Sequence, residues 1–183
     1  MGSSDKGRGG RISVHRLTVD AMFLGCAMIL SYLEAVLPLG AWIPLPGFKP
    51  GLCNIVIMWM FVRVSPWDAA AVSFCRIFLM GLLFGNVTGL WFSLCGGAMA
   101  YGGLWLLARL GRRYFSMAGV GIGCAALHNL GQILAAGVLL GMSAVVGYLP
   151  FLLVASVLFG GFTGLILNFL LKKGGLLKKK EKV

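Results

Sequence analysis

The chain has 183 residues, 59% of them hydrophobic and only 11% charged, and its mean hydropathy is +0.93. Soluble domains average roughly 45–50% apolar and about 25% charged residues, so the polar material here is too scarce to cover a globule in water. Lipid must cover much of this surface. The formal charge of +11 does not point to nucleic acid, because the cations flank the apolar runs. Lys6, Arg8, Arg11 and Arg16 precede the first run, and Lys172, Lys173, Lys178, Lys179, Lys180 and Lys182 follow the last. Basic flanks of this kind suit anionic headgroups.

A helix needs about 20 apolar residues to cross roughly 30 Å of hydrocarbon. The sequence predicts an all-α integral membrane protein, a bundle of six transmembrane helices over residues 18–38, 51–64, 68–85, 88–108, 117–140 and 145–171. Residues 1–16 form a basic cytoplasmic segment, 17–171 the membrane domain, and 172–183 a basic cytoplasmic tail on the headgroups. Pro38 and Gly40 end the first span, Pro46-Gly47 and Pro50-Gly51 bracket a turn, and Ser65-Pro66 separates the second span from the third. The second span is short, so it starts within the membrane after a loop folded into the outer half. Such a start survives only where protein buries the free backbone groups. Asp68 is placed to cap the third helix.

Charge sets the orientation. With both ends inside, fourteen of the sixteen Lys and Arg are cytoplasmic, Lys49 is external, and Arg76 lies within a span. That is a strong positive-inside bias. The expected setting is a cell membrane, the cytoplasmic membrane of a bacterium. Small residues four apart, such as Gly81 and Gly85, Gly119 and Gly123, or Gly160 and Gly164, let helix backbones approach closely.

The five cysteines all fall in apolar runs, no two closer than twenty residues. They read as packed thiols, with no metal or other cofactor implied. The ionisable and amide groups inside the spans carry the information, since each is costly in lipid and must find a partner. These are Glu34, Asn54, Arg76, His128, Asn129, Gln132 and Asn168. Asn168, near the cytoplasmic end, reads as structural. The others share a depth between the midplane and the outer surface, where a ligand pocket open to the exterior would lie. Glu34 and Arg76 either pair with each other or meet a ligand, and the amides either bond between helices or line the pocket. Gln132 lies one turn from His128 on the same face. The apolar loop from Pro38 to Pro50 either folds over the pocket as a lid, with Trp42 or Phe48 closing it and Lys49 facing the ligand, or anchors at the headgroups through Trp42. No Ser-His-Asp set, HExxH motif or adjacent carboxylate pair is present, so the sequence gives hydrolytic or metal catalysis nothing to stand on.

Three motifs resemble a known family. Pro46-Gly47-x-Lys49-x-Gly51-Leu52-x-Asn54, then Arg76 with Gly81-Leu82-Leu83-Phe84-Gly85-Asn86, then Ala125-Ala126-x-His128-Asn129-x-x-Gln132 are similar in order and content to motifs of the Gx transporter family, also labelled heptaprenyl diphosphate synthase component I. Pro50 stands where that family usually has Leu. The family is similar to the S-components of energy-coupling factor (ECF) transporters. The resemblance therefore implies a non-enzymatic subunit that binds a vitamin-like or other small molecule and works with a membrane T-component and two ATPases. It implies docking to the T-component through small residues of the first helix, Ala21 and Gly25 with Ala27, Ser31 and Ala35 as further candidates. The synthase label suggests an alternative, an accessory membrane subunit of isoprenoid or quinone metabolism or of a membrane redox system. The five acidic residues, Asp5, Asp20, Glu34, Asp68 and Glu181, include no adjacent pair, so the two Asp-rich motifs that hold magnesium and diphosphate in prenyl synthases are missing.

The charge bias makes a direct prediction about topology. A single cysteine introduced at Gly47 should react with a membrane-impermeant thiol reagent added to intact cells, while cysteines at Arg112 and Lys178 should not. Labelling at position 112 from outside would overturn the orientation.

Overall fold

A computed structural model describes residues 14–36, 51–84, 87–110 and 116–180. Six helices form the bundle: α1 Val14–Val36, α2 Cys53–Arg63, α3 Pro66–Phe84, α4 Val87–Leu110, α5 Met117–Leu140 and α6 Leu149–Lys180. A short helical turn, Met142–Val145, and a 3-10 turn, Val146–Tyr148, join the last two. All but α2 are long and apolar enough to cross a membrane. No strand occurs among the described residues.

Local chemistry sets the helix ends. Pro66 opens α3, where its fixed φ and missing N–H cost nothing, and the Ser65 carbonyl accepts from Ala69 N–H at 3.1 Å. Ser116 caps α5, its hydroxyl accepting from Gly119 N–H at 3.1 Å. Gly141 ends α5 at φ +88, a conformation that favours glycine. Pro150 falls in the first turn of α6, and that helix runs on to Lys180.

Three details differ from the sequence reading. Asp68 does not cap α3. It lies within the first turn and receives two hydrogen bonds from Arg16 of α1, from Nε at 2.8 Å and Nη2 at 2.6 Å. Arg16 is therefore a bidentate link between helices as well as a flanking cation. α6 also runs on as helix through residues 172–180, past the expected end of the last span at 171. At 1.5 Å per residue its 32 residues reach about 48 Å, well beyond the roughly 30 Å hydrocarbon layer.

α5 is the centre of the bundle, packing most extensively on α6 and α4. At the α5–α6 crossing a Cβ on Gly121 would overlap the Gly160 carbonyl oxygen and come 2.9 Å from Gly164 Cα. At the α4–α5 crossing a Cβ on Gly131 would lie 2.6 Å from the Cys95 carbonyl oxygen. Around these contacts the core is apolar, with Met58, Leu104, Val120, Cys124, Leu167 and Leu171 in one cluster and Ile57, Met60, Ala69 and Val72 in another. Phe151, Val154, Leu158, Phe162 and Leu165 of α6 are exposed, as residues covered by lipid would be.

The α5–α6 contact is backbone on backbone, so it cannot yield by moving a side chain. Gly121→Ala should destabilise the protein by about 1–3 kcal/mol, the usual range for overpacking. Thermal unfolding in detergent reads this directly, with Gly102→Ala, where a Cβ meets nothing within 4 Å, as the neutral control.

Candidate functional site

At one end of the bundle, the loop end, α1 finishes and α2 begins, and the opposite one is the termini end. Gly51, at φ +77, makes the turn into α2. A Cβ there would sit 2.9 Å from Asn54 Nδ2, so glycine serves both the backbone and the space for that amide. The same turn brings the Leu52 N–H to the Glu34 carboxylate, which is buried near the end of α1. Glu34 thereby answers one of the orphan donors at the start of α2.

Arg76 of α3 does not pair with Glu34. Its Nη1 donates to Ser31 Oγ at 3.0 Å, one turn along α1 from Glu34, and its Nε is buried with no hydrogen-bond partner. The ion pair found among the described residues is Arg16 with Asp68. Ser31 and Ala27 are buried against the bundle, so they cannot form part of a docking face. Ala21 and Gly25 are exposed on α1, and the Ala35 side chain lies outside the described residues.

A small cavity of about 20 Å³ lies deeper in the bundle, lined on α2 by Asn54, Ile57 and Met58, on α3 by Ser73, on α4 by Gly97, Ala100, Tyr101 and Leu104, and on α5 by Cys124. That is room for about one water. Arg76 follows Ser73 by three residues and His128 follows Cys124 by four, so each lies one turn toward the loop end on the cavity side of its helix. Gln132 is one turn further along α5. A Cβ on Gly96 would lie 3.0 Å from both His128 Cε1 and Gln132 Cγ, which fixes these two side chains beside α4. By helix position Ser31, Glu34, Asn54, Arg76, His128 and Gln132 all lie toward the loop end, with Arg76 bonded to α1 and with His128 and Gln132 against α4.

Asn129, the remaining amide among the ligand-binding candidates on α5, faces α6 instead. It is buried, and its amide donates to the Leu152 carbonyl at 3.1 Å and to Ser156 Oγ at 2.8 Å, both on α6. One residue along a helix is a 100° turn, enough to take Asn129 from the cavity side to the α6 side. Trp42, Phe48 and Lys49 lie outside the described residues. Sequence reasoning missed Ser73, Tyr101 and Cys124 as cavity residues. Only their spacing from Arg76 and His128 could have found the first and last, and nothing in the sequence singles out Tyr101.

Six helices and long apolar spans define a multi-pass α-helical membrane protein. A family model described as heptaprenyl diphosphate synthase component I matches residues 23–170, and the chain belongs to that family. No curated protein and no solved structure matches it.

Asn129 is committed to helix packing, so its removal should cost stability without touching a pocket. Asn129→Ala should destabilise the protein by about 0.6–1.7 kcal/mol, the range for interhelical hydrogen bonds in membranes. Thermal unfolding measures the loss. A Ser156→Ala change should add little on top of it, because the two side chains bond each other.

Proposed function

We propose that this protein is the substrate-binding subunit of an uptake transporter of the ECF type, holding a vitamin-like or other small molecule in the polar layer between α1, α2, α3 and α5. The observation that carries the reading is Arg76. Its guanidinium is anchored on one side by Ser31, keeps a buried Nε without a hydrogen-bond partner, and is not neutralised by Glu34, whose carboxylate accepts the Leu52 N–H. A cation held in that way in a water-poor interior suits an anionic ligand group. His128, Gln132 and Asn54 supply further polar groups at the same level.

The transport assignment draws on the motif resemblance as well as on this geometry. In that setting the loop from Pro38 to Pro50 faces the exterior of a bacterial cytoplasmic membrane, both termini are cytoplasmic, and Trp42, Phe48 and Lys49 close over the ligand. Ala21 and Gly25 meet a T-component, and ATP is hydrolysed by separate subunits. The family's description favours a second reading, a non-catalytic accessory of a synthase. Copurification separates the two, since a transport subunit brings ATPases and an accessory subunit brings a synthase.

Native mass spectrometry of gently purified protein should show a retained small molecule. Arg76→Met should leave the protein folded and weaken binding of that molecule by at least about tenfold, because a lost charged hydrogen bond costs about 1.5–3 kcal/mol. His128→Ala and Gln132→Ala should each weaken it less. Unchanged affinity in a folded Arg76→Met protein would remove Arg76 from the site.

A further inference from the structure

A second, larger hollow adjoins the small cavity. It is a groove of about 470 Å³ on the outer side of α3 and α4, and Ala70, Phe74, Ile77, Leu94, Cys95 and Ala98 are among its lining residues. Its volume falls within the roughly 300–1,000 Å³ typical of ligand sites. Phe74 and Ala98 are exposed at its rim, so in a bilayer it opens sideways to the acyl chains rather than to water.

Three residues line both hollows: Ser73, Gly97 and Tyr101. These three are the shared boundary between the bundle interior and the groove. At Gly97 the missing Cβ leaves room for the end of the flexible Ile77 side chain, with which a Cβ would collide. Tyr101 is held in place by its hydroxyl, which donates to the Pro66 carbonyl at 2.5 Å. On the interior side, one turn from Ser73, stands Arg76. A cation thus lies one helical turn from a side opening whose walls are almost wholly apolar.

We propose that the ligand is an anionic single-chain amphiphile, with its charged head on Arg76 and Ser31 inside the bundle and its hydrocarbon chain leaving between α3 and α4 through the Ser73–Gly97–Tyr101 boundary into the groove. The inference rests on the polar layer being a binding site, and it names the chemical class that site takes. A wholly water-soluble ligand would leave the groove without a role. A neutral lipid would leave Arg76 without one. The head and chain together account for both.

The test uses the full chain in phosphatidylcholine nanodiscs with three probes, dodecyl phosphate, inorganic phosphate and dodecanol. Ala98→Phe fills the groove from its exposed rim without approaching Arg76, and Ala70→Phe does so from α3. Dodecyl phosphate should bind more tightly than either other probe. Each groove variant should weaken dodecyl phosphate by at least about tenfold and leave inorganic phosphate unchanged, whereas Arg76→Met should weaken both phosphates. If the groove variants leave dodecyl phosphate binding intact while Arg76→Met abolishes phosphate binding, the chain site is refuted and the polar layer stands. If dodecanol binds as well as dodecyl phosphate, the groove holds bulk lipid only and the inference fails. If Arg76→Met changes neither phosphate in a folded protein, the polar layer itself is not the site.

Discussion

Backbone contact between α5 and its two neighbours is the constraint on which the rest of this bundle depends. Between helices in lipid the hydrophobic effect gives no net drive, and association rests on close van der Waals contact and on hydrogen bonds. Dispersion falls off within an ångström of separation, so the helices must touch. Gly121 against Gly160 and Gly164 brings α5 onto α6, and Gly131 against Cys95 and Gly96 brings it onto α4. Two such contacts on different sides of one helix fix its rotation. With that rotation set, Asn129 meets Leu152 and Ser156, Cys124 lines the cavity, and His128 stands one turn above Cys124. A rotation of 100° would exchange these roles, burying Asn129 in the cavity and turning His128 toward α6.

The polar groups divide their work in a way that follows from the shortness of α2. Eleven residues make about 16 Å of helix, roughly half of the hydrocarbon thickness. A helix that begins so deep exposes backbone N–H groups where water cannot reach them. Glu34 answers this by accepting the Leu52 N–H, and a carboxylate at a helix N-terminus also gains from the helix dipole. Because Glu34 is occupied in this way, Arg76 turns instead to Ser31. The guanidinium is thereby tied to α1 through a neutral hydroxyl.

Much of this was legible in the sequence, and the reasons for what was not are physical. Hydropathy and proline placement indicate a six-helix membrane bundle because span length is set by the bilayer, which is the same for every helix. The short second span announces itself for the same reason. Helix rotation is different, since in lipid both polar and apolar faces can be internal, and the period of hydrophobicity no longer says which way a residue points. That is why Asn129 could not be separated from its neighbour His128, and why Ser31 and Ala27 looked as fit for a docking face as Ala21 and Gly25. Long-range pairing was also hidden. Asp68 looks like a capping residue from its place beside Ser65-Pro66, and only the fold brings Arg16, 52 positions away, within hydrogen-bond distance.

The two ends of the bundle are held together by different contacts. At the termini end, Arg16 grips Asp68 with two hydrogen bonds, Tyr101 ties α4 to the first residue of α3, and Arg63 Nη2 donates to the Leu171 carbonyl at 2.8 Å, joining α2 to α6. These bonds connect five of the six helices, and α5 is joined to α4 and α6 by the glycine contacts. Toward the loop end Arg76 donates to Ser31 and Leu52 N–H to Glu34, while Asn129 joins α5 to Leu152 and Ser156 of α6. Any molecule that engages Arg76 must compete with or extend the Ser31 contact. Binding is thereby coupled to the way α1 and α3 sit together at that end. The groove side of α3 and α4 carries one of these links itself, because Tyr101 lines the groove and bonds Pro66.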